Sequence, residues 1–219
     1  TVGPTYVYAR LEQAIRLKKP ISIIRIGDVV AKLLARKQLQ TLQEVSAFLG
    51  IDLPPSRNLL KELDQAVHGA DIVGVSHFGP SIPLIQQYMK RSGWRPAIMT
   101  DAFINDQLYE GGYLQRLIQN HRVALIGRAA PMAAKQLASN KLRVAMTIPL
   151  NHYREIGSAM HKLSKHRNEI DLVMVGASVP GRILVPLIAK RLGISAIEIG
   201  HMMDAFSDPK SWSQLEDNR

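Results

Sequence analysis

Seven short apolar runs punctuate this chain, at 21–26, 71–75, 97–100, 123–126, 144–148, 172–175 and 196–199. Most are continuous in Ile, Val, Leu and Ala rather than alternating with polar residues, the pattern of parallel strands buried on both faces. Amphipathic stretches lie between them. In 5–18 the apolar positions Val7, Leu11, Ala14 and Ile15 share one helical face, and in 152–167 Tyr153, Ile156, Met160 and Leu163 do the same. Alternating strand and helix signals predict an α/β fold: a single Rossmann-like domain, a mostly parallel open sheet with helices on both faces. No linker rich in Pro, Gly or Ser and no internal repeat divides the chain, so one domain is expected over 1–219. The polar stretch from about residue 209 is expected to fray.

The composition narrows the chemistry. With no cysteine, the chain has no disulfide, no thiol nucleophile and no thiolate metal site. No apolar run approaches the roughly 18 residues that span a bilayer, and no signal peptide is visible, which together suit a cytoplasmic protein. The net charge is +10, and residues 116–191 alone carry 13 Lys/Arg against 3 Asp/Glu. Such a surface suits an anionic partner: nucleotide phosphates, an anionic membrane surface contacted peripherally, or nucleic acid. Only 5% of residues are aromatic and no basic–aromatic stripe appears, which argues against nucleic acid.

The most specific local pattern is Gly176-Ala177-Ser178-Val179-Pro180-Gly181-Arg182, a small-residue turn between the strand at 172–175 and a helix. In an open parallel sheet such a loop sits at the carboxyl edge, where ligands bind. Its free amides and the helix dipole suit a phosphate. Pro180 fits a first helical turn, Ser178 suits a cap or a phosphate contact, and Arg182 can reach the same anion. The dinucleotide Gly-X-Gly-X-X-Gly spacing and the Walker lysine are both absent, which disfavours a dehydrogenase or an ATPase.

Other strand ends carry polar groups. Gly27-Asp28 closes the first strand, where Asp28 suits a metal, a ribose or a substrate hydroxyl, or equally a helix N-cap. Arg25, inside that strand, calls for an anion or an ion-pair partner. His201 and Asp204 follow the last strand as candidate acid–base, sugar-binding or metal-binding groups. Asp101 with Asn105, Arg128 after Gly127, and His77 in the segment 75–80 repeat the theme.

Taken in order, Ile23-Ile24-Arg25-Ile26-Gly27-Asp28, Asp101-Ala102-Phe103-Ile104-Asn105, the Gly176–Gly181 turn and Gly200-His201-Met202-Met203-Asp204-Ala205-Phe206 resemble the GT-D type glycosyltransferases. The resemblance runs over about residues 5–208. It implies transfer of a sugar from a nucleotide donor, typically UDP-linked, to a glycan, protein or lipid-linked acceptor, with a divalent metal such as Mn or Mg. By the resemblance, Asp28, His201 and Asp204 are the catalytic candidates. Arg25, Gly27, Asp101, Asn105, Arg128, Gly176, Ser178, Gly181 and Arg182 would hold the nucleotide sugar, and Asp28 would ligate the metal. The family's Asp-X-Glu signature reads Asp28-Val29-Val30 here, so an apolar residue stands in place of the Glu. Three possibilities follow: Asp101 or Asp204 completes the metal site, cations such as Arg25, Arg128 and Arg182 take over, or the chain is a nucleotide- or glycan-binding domain that has lost turnover.

Overall fold

The computed structural model describes residues 1–77 and 79–216. Its strands are β1 (Ser22–Ile26), β2 (Ile72–Val75), β3 (Ile98–Asp101), β4 (Val123–Gly127), β5 (Met146–Ile148), β6 (Leu172–Gly176) and β7 (Ser195–Glu198). They form one seven-stranded sheet in the order β3-β2-β1-β7-β6-β4-β5, with every neighbouring pair parallel. All seven apolar runs of the sequence are strands. The edges moved by a residue or two: glycines extend β4 and β6, and β5 starts at Met146 rather than Val144.

Burial explains the unbroken apolar runs. β1, β2, β4 and β7 are buried at every position because helices cover both faces. Alternate strand residues feed two cores. Ile24, Ile26, Val73, Val75, Ile126 and Val175 pack with the helices Asp28–Ala35, Arg57–Gly69 and Ser178–Leu192. Ile23, Ile72, Leu125, Met174 and Ile197 pack with Pro4–Leu17, Tyr113–Asn120 and Ala130–Ser139 on the other face. Each core excludes water from one side of the sheet, so neither helix layer is dispensable.

The first amphipathic stretch is the helix Pro4–Leu17, with Val7, Leu11 and Ala14 buried. The second divides into a 3₁₀ turn Tyr153–Glu155, a helix Ile156–Lys165 and a second 3₁₀ turn Arg167–Glu169. Where fraying was expected, a helix Pro209–Glu216 forms, and Trp212 stacks on His201 with ring centroids 5.1 Å apart. Residues 217–219 and Phe78, in the segment 75–80, lie outside the described residues. Among the described residues no helix is long and apolar enough to cross a membrane.

The order of strands locates the crevice. β1 to β3 build one half of the sheet and β4 to β7 the other, and the halves meet where β1 lies beside β7. A reversal of this kind opens a gap between loops at the carboxyl edge.

Candidate functional site

A cavity of about 370 Å³ opens at that edge. It is lined from β1 by Arg25, from the β4 end by Arg128 and Ala129, and from the β6 turn by Gly176, Ala177, Ser178 and Arg182. Gly200, His201 and Asp204 follow β7, Phe48 comes from the short helix Ser46–Leu49, and Gly50 and Asn151 come from connecting loops. The fold thus gathers seven of the residues singled out in the sequence around one space: Arg25, Arg128, Gly176, Ser178, Arg182, His201 and Asp204.

The turn after β6 is tightly built. The helix that follows runs Ser178–Leu192 and points its amino end at the cavity. Ser178 has φ 51°, a left-handed conformation uncommon outside Gly, and its side chain does not cap the helix. A Cβ at Gly176 would lie 2.5 Å from Met203 Cβ and 2.7 Å from the Gly200 carbonyl oxygen. Only a glycine lets the β6 turn pack against the loop after β7. Pro180 is buried in the first helical turn, where its missing donor costs nothing.

Beneath the cavity lies an ion cluster centred on Glu198, which is wholly buried. Arg25 Nε donates to Glu198 Oε2 at 2.6 Å and Nη2 to Oε1 at 3.3 Å. Arg182 Nη1 stands 3.2 Å from Glu198 Oε1. Arg25 Nη1 also donates to the Ala102 carbonyl at 2.9 Å and to Asn105 Oδ1 at 2.7 Å, while Asn105 Nδ2 donates to the Ile199 carbonyl at 3.0 Å. Arg182 Nη1 further donates to the Ser178 carbonyl at 2.7 Å, and Nε to the Arg25 carbonyl at 3.4 Å. Two guanidiniums on one carboxylate leave the cluster with a net positive charge.

The titration of these groups follows from that arrangement. Burial alone would raise the Glu198 carboxyl, but Arg182 and Arg25 outweigh it and hold the group below its ordinary value. Burial pulls Arg182 down to about 10, against the pull of Glu198 and with a further push from Arg25. Arg182 therefore stays charged at neutral pH.

Gly200 makes the Arg25 geometry possible. Its φ is +51°, and a Cβ there would overlap Arg25 Nη2 and come within 3.1 Å of Glu198 Oε1. Gly200→Ala is expected to cost about 2 kcal/mol, from left-handed strain and a displaced guanidinium, read as a lower denaturation midpoint. A midpoint equal to the wild type would show that the cluster does not need this approach.

The loop after β7 supplies an imidazole and a carboxylate. His201 Nε2 lies 2.8 Å from Asp106 Oδ1, and Trp212 covers one face of the ring. Asp106 Oδ2 is buried with no hydrogen-bond partner, so the pairing with His201 is what offsets the desolvation of this carboxyl. The Asp204 carboxylate is exposed and makes no hydrogen bond or ion pair among the described residues. The same is true of the Arg128 guanidinium.

Five residues expected at the site are placed elsewhere. Gly27 is the N-cap of the helix Asp28–Ala35, and Asp28, its first residue, pairs with Lys32 Nζ at 2.7 Å instead of facing the cavity. Asp101 Oδ1 accepts from the Phe103 amide at 2.7 Å, closing a turn at the edge strand β3. Asn105 is buried and holds Arg25 from behind. Gly181 packs the helix against Val175, with room for no more than a close contact. Val30 is 2% exposed and belongs to the core.

A divalent metal fits this donor set poorly. Among the described residues no group of three or more His, Asp and Glu could hold an ion. Asp28 is bound to Lys32, residue 30 is buried and apolar, and Glu198 is enclosed by two guanidiniums.

Glu198, Asp106 and Phe48 are site residues that the sequence alone did not single out. An acid inside the apolar run 196–199 was visible, and it was the natural partner for Arg25, another charge inside a buried strand. Asp106 left no such signal, because its partner lies 95 positions away. Phe48 was equally silent, and it stands 66% exposed at the cavity wall.

The fold has known counterparts. One is a glycosyltransferase (DUF1792) from Streptococcus sanguinis, which superposes with a TM-score of 0.61 at 15% identity over 94% of this chain and 84% of that one. Another is a structure of the domain of unknown function 1792, described as a distinct glycosyltransferase fold, with a TM-score of 0.56 at 15% identity over 95% and 80% of the two chains. At these identities the likeness establishes the shared fold. No curated protein sequence matches. The family and the fold together support glycosyltransferase chemistry in general. Since the GT-D fold-like domain matches residues 2–206, nearly the whole chain, this protein belongs to the GT-D-like family.

Proposed function

We propose that this protein is a glycosyltransferase that takes its sugar from a nucleoside-diphosphate donor, UDP-linked by the family's habit, and passes it to a hydroxyl of a glycan-bearing acceptor. One observation carries the reading: three arginines and the amino end of a 15-residue helix converge on the cavity at the β1–β7 switch point. The diphosphate lies against Arg182 and Arg128, which stabilise the negative charge that builds on the leaving nucleotide as the glycosidic bond breaks. Asp204, an unpartnered carboxylate in the same cavity, takes the proton of the attacking hydroxyl. His201, steadied by Asp106 and Trp212, orients a sugar hydroxyl or the acceptor.

The opposite edge of the sheet carries Lys18, Lys19, Arg122, Lys141, Arg143 and Arg167 just ahead of strands β1, β4, β5 and β6. That edge would meet an anionic membrane surface peripherally, on the side of the sheet away from the cavity.

Titration calorimetry with UDP and GDP, followed by release of free nucleotide from the corresponding sugars, tests the reading. UDP is expected to bind. Asp204→Asn is expected to keep that binding and to lose turnover about 100-fold. No nucleotide binding would sink the proposal. A second reading, a binding domain without turnover, rests on the Asp28–Lys32 pair and the apolar residue at position 30. Nucleotide binding with neither transfer nor donor hydrolysis would favour it.

A further inference from the structure

Resting on the reading of the cavity as a donor site, we propose that Arg128, together with Arg25 and Arg182, which Glu198 anchors, neutralises the donor's diphosphate in place of a divalent metal, so that this chain binds its donor metal-free. The cationic side is built. Arg25 and Arg182 are fixed by hydrogen bonds on several sides, so little conformational freedom remains to be lost when an anion arrives. Arg182 Nη2 has no partner among the described residues, and Arg182 lines the cavity. Arg128 reaches the cavity from the β4 side with its whole guanidinium unengaged. A planar fork of N–H donors matches two phosphate oxygens at once, which an isolated lysine cannot do.

The acidic side is dismantled. The carboxylate just past β1 that would begin a metal site is held by Lys32, and its companion position is filled by Val30, which belongs to the core. Among the described residues Asp204 is the one unpaired carboxylate lining the cavity, and the same wall carries the net-positive Arg25–Glu198–Arg182 cluster. A divalent cation there would meet repulsion from two guanidiniums with a single acidic ligand to offset it.

The test is calorimetry of the full chain with UDP, first in EDTA and then with manganese in excess. The expected result is an affinity that agrees within about twofold between the two conditions and weakens as salt is added. Arg182→Gln is expected to weaken UDP about tenfold or more while leaving uridine, which carries no phosphate, unaffected. Arg128→Gln serves beside it because that side chain is exposed and its loss leaves folding intact; it too is expected to weaken UDP severalfold. UDP binding that vanishes in EDTA and returns with manganese overturns this inference and leaves the donor-site reading standing. Wild-type affinity in both arginine variants overturns it as well. Absence of nucleotide binding both in EDTA and with manganese overturns the donor-site reading, and this inference with it.

Discussion

Glu198→Ala is expected to lower stability by about 3–5 kcal/mol, because it leaves two buried guanidiniums facing each other with no counter-charge. For a chain of this length that corresponds to a fall in Tm on the order of 10 °C. Glu198→Gln is expected to lose nearly as much, since the amide keeps the shape but not the charge. The pH dependence gives a sharper signature. Glu198 is held below its ordinary value in the folded state, so its contribution is fully present above the unfolded carboxylate value and is lost as pH falls through the folded one. The wild type should therefore weaken in acid more steeply than either variant. Asp171, lowered chiefly by its hydrogen bond from Arg122, adds acid sensitivity of the same sign in all three proteins. Variants that melt within about 2 °C of the wild type would show that the cavity floor is held by something else, since a loss that small corresponds to at most about 1 kcal/mol.

The same cluster shows how far the sequence could be read. The strands were legible because both faces of a parallel sheet are covered, so every position is apolar and the runs stand out. Their ends were legible because glycines and charged residues interrupt the runs at the carboxyl edge. Pairing was not legible. Arg25 announced that it needed a partner, but spacing alone cannot say that β7 lies beside β1, and only that adjacency brings Glu198 within reach. Asp28 was ambiguous for the opposite reason. An acid just past a strand end suits a ligand or a local partner equally, and the local partner, Lys32 one turn on, was already in the sequence. The roles of Asn105 and Gly181 in packing, rather than ligand contact, likewise depend on neighbours that come from distant strands.

Val30→Glu separates a core position from a damaged metal site, because it restores the family's acidic pattern in letters alone. Val30 is the third residue of the helix Asp28–Ala35 and packs into the core that includes Ala31, Leu33 and Leu34. A carboxylate there loses apolar burial and must either ionise in a dry surrounding or take up a proton. The expected cost is about 4 kcal/mol at neutral pH. The sign in pH follows: a carboxyl raised above its unfolded value penalises folding above that value, and the penalty fades as pH falls. The variant should approach the wild type in mild acid and fall away from it toward neutrality. Manganese is expected to leave its Tm unchanged, since Asp28 is bound to Lys32 and no third acid stands within reach among the described residues. A rise in Tm that depends on manganese would instead put residue 30 beside an ion, and would return a metal to the chemistry of this cavity.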